Sequence, residues 1–200
     1  MSGDLRDLPL FPLGTVLFPG GLLPLRLFEQ RYLEMAKACL RDSSAFGVCL
    51  IREGAEVGAP ALPESVGCLA SIVQWDMQQL GLLQIVALGG RRFRILERRL
   101  QADGLARASV ELLQEEADAE VPSSLAACAE LLRRVAAEHG ERLFAAPFRF
   151  ESCAWVSARL AEILPLAGQV KQQLLELDGL ARLEALDRLI AIEGRKQARE

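Results

Sequence analysis

Four of the nine prolines fall within the first 24 residues, at Pro9, Pro12, Pro19 and Pro24, and apolar side chains fill the gaps in the run LPLFPLGTVLFPGGLLPL. Proline cannot donate to a central β-ladder, and it disfavours helix in the residue before it. The segment must therefore be extended, with bends near Gly14 and Gly20-Gly21. So many apolar side chains on extended backbone predict a segment that packs across a core rather than a linker. A core is within reach, because 200 residues make one domain or two small ones, and 51% of them are hydrophobic. Disorder is excluded on the same ground.

Downstream the period changes twice. Tyr32, Leu33, Ala36 and Leu40 recur at three and four, which predicts a helix over Glu29 to Leu40. Residues 45–114 read as short strands: Phe46–Ile51, Gly67–Trp75, Leu82–Leu88, Arg91–Leu100 and Ala106–Leu113. Between them, 52–65 reads as a loop on Gly54, Gly58, Pro60 and Pro63, and Gly89-Gly90 reads as a break. Tight turns between five or six strands suggest a small antiparallel barrel or curled sheet. Beyond Pro122 helical spacing returns, in four stretches. One closes at His139-Gly140, one is capped by Ser152 and ended by Pro165, one ends at Asp178-Gly179, and a last one is followed by a charged tail expected to fray. The fold class expected is α+β, with residues 1–117 a β-rich lobe carrying one helix and 118–200 a helical bundle.

Charge supports this division. The net charge is −4, and residues 123–200 are balanced, so the acidic excess lies before Ser123, where Glu115, Glu116, Asp118 and Glu120 form a short run read as a linker. No broad basic field is present to draw in nucleic acid. Acids precede any apolar run in MSGDLRDLP, so no secretory signal is expected, no uncharged stretch is long enough to span a membrane, and the cytoplasm is the expected compartment.

The chemistry of common enzymes is missing. GxxxxGK[ST], GxSxG, HExxH and CxxC do not occur, so neither a cofactor nor a metal is expected. The five cysteines are widely spaced and read as small buried hydrophobes. The single histidine, His139, reads as a helix-end residue, although a Cys–His hydrolase remains an alternative. Only Lys37, Lys171 and Lys196 could serve a Ser–Lys dyad, and all three read as solvated.

Two features could bind something. Arg91, Arg92, Arg94, Arg98 and Arg99 surround Phe93, and Arg92 and Arg94 are the candidate contacts of an alternative RNA-binding reading. The plainer account is a strand with a charged outer face. The apolar opening, with Phe28 and Tyr32 on neighbouring helical turns, could instead form a groove for apolar peptides near the junction of the two lobes.

The segment LPLFPLGTVLFPGGLLPLRLFEQRYLEM resembles the opening of the Lon protease N-terminal domain, in its stand-alone form. Pro12, Leu13, Pro19, Leu23, Pro24, Leu25, Phe28, Glu29, Arg31 and Tyr32 carry the likeness. It continues at GCLASIV, at GRRFRI, and at KQQLLEL with RLEAL, so it spans nearly the whole chain in order. The resemblance implies a β-rich lobe of the PUA-like kind followed by a helical bundle, and a module that contacts protein substrates without an ATPase or protease site. The partners implied are unfolded or flexible proteins and peptides, with a separate ATPase or protease as a further candidate. The resemblance assigns no chemical role to Phe28, Glu29, Arg31 or Tyr32.

Overall fold

The computed structural model describes residues 4–79 and 81–197. It is mixed α+β, with a six-stranded sheet and five α-helices, and it divides into two compact units, Met1–Glu115 and Glu116–Glu200.

The first unit contains β1 (Asp4–Leu13), β2 (Leu22–Leu27), α1 (Gln30–Asp42), β3 (Phe46–Glu53), β4 (Leu62–Gln79), β5 (Leu82–Leu100) and β6 (Ala106–Leu112). The proline-rich opening supplies β1 and β2, as extended backbone demands. The sheet order is β2-β5-β4-β3-β1-β6, and β6 also pairs with β5, so the pairings from β5 round to β6 close on themselves. All neighbours are antiparallel except β1 with β3. β2 stands at the edge, and among the described residues it pairs only with the first half of β5. Its Pro24 fits there, because an edge strand can spare one donor.

Two apolar clusters fill this unit. Tyr32, Leu33 and Ala36 of α1 pack onto Leu27, Leu83, Ile85 and Phe46, while Leu8, Leu10, Phe93, Ala106 and Val110 form the second. Phe93 is thus a core residue, as the alternation along its strand requires.

The structure corrects the strand boundaries in two places: β4 begins at Leu62, within the stretch 52–65 read as a loop, and β5 is continuous. Gly89-Gly90 does not break β5, which runs without interruption from Leu82 to Leu100. A Cβ at Gly89 would lie 2.1 Å from the carbonyl oxygen of Phe18. Gly20 donates to the Gly89 carbonyl and Gly89 donates to the Gly21 carbonyl, both at 2.8 Å. The glycine is needed for close approach of two backbones, not for a turn.

The second unit contains α2 (Ala126–His139), α3 (Cys153–Ile163), α4 (Gly168–Glu176) and α5 (Gly179–Gln197). The Ser152 hydroxyl accepts from the Trp155 amide and caps α3, and the chain leaves helix before Pro165. Val156, Leu160 and Ala161 are buried on α3, which packs against α2, α4 and α5. The last helix continues to Gln197, past the point where fraying was expected.

The acidic run is no loose linker. Glu116 forms a two-pronged pair with Arg182, at 2.5 and 3.1 Å, and both groups are almost fully buried. Asp118 binds Arg149 and accepts from the Ser152 hydroxyl, while Val121 donates to the Glu151 carbonyl at 2.8 Å. The acids after Glu115 are therefore stapled onto the helical unit. None of the described helices is long and apolar enough to cross a membrane.

Candidate functional site

β2 ends at Leu27, and α1 begins at Gln30 with Glu29 as its N-cap. Phe28 therefore precedes the helix instead of sharing a face of it with Tyr32, which corrects the expectation of neighbouring turns. The consequence is opposite exposure. Phe28 is 56% exposed, whereas Tyr32 is 6% exposed. The Tyr32 ring lies 4.2 Å from that of Phe11, and burial raises the pKa of its hydroxyl.

Both residues nevertheless line one cleft of about 250 Å³, with Leu13 and Leu25 among its apolar walls and Glu56 and Val57 on the facing loop. That volume lies just below the ~300–1,000 Å³ of pockets for drug-sized ligands. It has room for single side chains. Phe28 and Val57 are the exposed apolar members.

Arg31 holds the cleft together. It is buried, donates to the carbonyls of Gly58 at 2.9 Å and Gly104 at 3.3 Å, and pairs with Glu29 at 2.8 Å. Its guanidinium also stacks over the Tyr32 ring at 4.7 Å. The facing loop is pinned again where the Gly14 amide donates to the Glu56 carboxylate at 2.5 Å. Arginine followed by an aromatic residue was legible in the sequence, but its partners lie 27 and 73 residues away.

A second cleft of about 560 Å³ lies along the same strand and shares Pro24, Leu25 and Arg26 with the first. Gln74, Trp75 and Val86 contribute to it, and Trp75 is 61% exposed. Nothing in the sequence singled out Trp75, because tryptophan is on average highly buried and its exposure depends on which strands lie beside it.

The arginine strand is largely engaged in structure. Arg91 donates to the Leu113 carbonyl at 3.0 Å, Arg98 to the Ala61 carbonyl at 3.3 Å, and Arg99 binds Asp7. Arg92 is half-buried and Arg94 is exposed. The Phe93 ring between them is buried, so no base could stack on it.

All five cysteines are free and buried. His139 is exposed at the end of α2, and Cys128 on the same helix is eleven residues away, about 16 Å along the axis at ~1.5 Å per residue. Burial, then the Asp187 carboxylate, push the Cys128 thiol up to about 11. Lys171 is not solvated as expected: its ammonium donates to the Glu162 carbonyl at 2.8 Å, and burial lowers its pKa. Among the described residues no three His, Cys, Asp or Glu side chains are grouped to hold a metal.

Residues 7–191 match the family described as the ATP-dependent protease La (LON) substrate-binding domain. The crystal structure of a Lon N-terminal domain protein from Xanthomonas campestris is 35% identical, with a TM-score of 0.76, and the match covers 91% of this chain and 97% of that one. The protein cereblon of Danio rerio is 29% identical over 56% of this chain and 26% of its own length. The Lon protease of Anaeromyxobacter dehalogenans is 32% identical over 54% of this chain and 13% of its own. The matched region is thus about a quarter or less of these two relatives.

Proposed function

Because the chain belongs to the ATP-dependent protease La (Lon) substrate-binding domain family, we propose that it is a non-catalytic module that binds unfolded or flexible apolar protein segments in the cleft between β2 and the loop of Glu56 and Val57. The observation that carries this reading is the pairing of an apolar floor with two exposed apolar rims, Phe28 and Val57. Exposed apolar side chains around a concave site are a sign of binding. Phe28 is the contact, and Tyr32 supports the floor from below. We read the closed set of strand pairings as the PUA-like barrel and the four later helices as a bundle. The partners are apolar segments of cytoplasmic proteins, passed on to a separate ATPase or protease.

A site that accepts many sequences binds each loosely, with micromolar or weaker affinity, roughly −8 kcal/mol or less in magnitude. Apolar burial supplies most of that, so salt weakens it little. The test is a titration with a denatured model protein at low and high salt, on the parent, Phe28→Ala and Tyr32→Ala. Phe28→Ala should remain as stable as the parent and bind at least several-fold more weakly. Tyr32→Ala should lose about 3 kcal/mol of stability, the cost of emptying an aromatic site. Binding that vanishes with salt, or that ignores Phe28, would refute the reading. The purified chain should also show no ATP turnover that scales with it through repurification.

A further inference from the structure

Among the described residues, no strand lies beside the edge of β4 beyond Ala70. β3 pairs with β4 only as far as Phe46 opposite Ala70, whereas β5 follows β4 on its other side to Gln79. Along this open edge Val73, Trp75 and Met77 are 48%, 61% and 40% exposed. An exposed apolar edge is a template for another strand, and proteins normally blunt such edges with proline or lysine. Residues 71–79, SIVQWDMQQ, contain neither.

The order of residues here is self-complementary. Placed antiparallel against a copy of itself with a two-fold axis at Trp75, the strand sets Trp75 opposite Trp75, Val73 opposite Met77, and Gln74 opposite Asp76. Within residues 73–77 apolar is set opposite apolar and polar opposite polar. The only charge, Asp76, meets a neutral amide, so no like charges are opposed. An isologous contact needs this property, because each residue must suit its two-fold mate.

We propose that this edge pairs with a second copy of the chain, joining the two β4 strands antiparallel about Trp75. The strand bulges at Val73 and again beyond Asp76, so the regular stretch is short. The buried area falls below that of a standard stable interface of ~1,600 Å². The dimer is therefore weak and forms only at high protein concentration. It is distinct from the cleft beside Phe28, and either proposal can fail without the other.

The experiment is sedimentation equilibrium over micromolar to near-millimolar concentration. The parent should pass from monomer to dimer. Trp75→Lys and Trp75→Glu each place like charges on the axis and should weaken dimerisation at least about tenfold. Mixing the two variants should restore a dimer, because Lys then faces Glu. Gln74→Lys places an ammonium opposite Asp76 at two symmetric positions and should tighten the dimer several-fold. Trp75 and Gln74 are exposed, and circular dichroism would verify that each variant is folded. A parent that stays monomeric throughout, a dimer indifferent to Trp75→Lys, a charge-swapped mixture that stays monomeric, or a Gln74→Lys variant that does not tighten would each overturn the proposal.

Discussion

Arg99 and Arg107 stand directly opposite each other on β5 and β6, and both guanidinium groups close on the carboxylate of Asp7. Two like charges in such a pair would normally repel. Asp7 resolves this from a bulge in β1, with its backbone in the left-handed region at φ 64°. The strained backbone and the bridging carboxylate are two separable contributions at one residue.

Replacing Asp7 should separate them. Asp7→Gly removes the carboxylate but accepts the backbone, and should cost at most about 1 kcal/mol because the pairs are half-exposed. Asp7→Ala keeps a Cβ at positive φ and should cost about 1 kcal/mol more. Urea unfolding of both variants, at low and high salt, measures the difference. Only the shared loss should shrink with salt.

Arg92 and Arg94 are predicted to be unimportant for nucleic acid. Changing each to Gln should alter stability by no more than ~0.5 kcal/mol and leave nucleic-acid retention at background. A steep salt-dependent affinity for RNA that the double change abolishes would instead support the alternative RNA-binding reading.

Glu116 and Arg182 should behave as a buried pair. Glu116→Ala leaves the Arg182 guanidinium facing an emptied site and should destabilise the helical unit by about 3 kcal/mol. The double change Glu116→Leu with Arg182→Met should recover most of that loss. Denaturation followed by the fluorescence of Trp155, which packs among Phe144, Phe148 and Phe150, reports it.

Alkaline pH should weaken the fold in part through Cys128. Its thiol is pushed from 9.0 to about 11 in the folded chain by burial, with Asp187 adding to it. Above 9.0 the unfolded chain releases this proton while the folded chain keeps it, so the stabilising effect is complete below 9.0 and is lost as pH rises towards 11. Over that window the parent should lose stability more steeply than Cys128→Ala. Equal slopes would mean that the thiol is not held protonated.

Helical spacing and end signals made most of the second unit legible: Ser152 caps α3 and Pro165 follows its end. These are local effects, written in neighbouring residues. The errors came where a distant partner decides. Gly89 reads as punctuation until the Phe18 carbonyl is placed against it. Phe28 and Tyr32 are four apart and read as one helical face until the N-cap falls between them, at Glu29. Nothing in the sequence marks Arg31 and Arg182 as buried, because the carbonyls and carboxylates that admit them to the interior are remote in sequence.

Because β5 joins β2, β4 and β6, this one strand also sets the timetable on which the first unit assembles. Its hairpin with β4 brings together residues as near as Gln79 and Leu82, so it can form without closing a long loop. Its pairing with β2 must bring Leu22 to Leu88, and β1 must find β6 across the span from Asp4 to Glu111. Such distant pairings slow folding. Until they form, the proline-rich opening can lie only against β3, through the parallel pairing of β1, and the apolar side chains of β2 wait longest for their place.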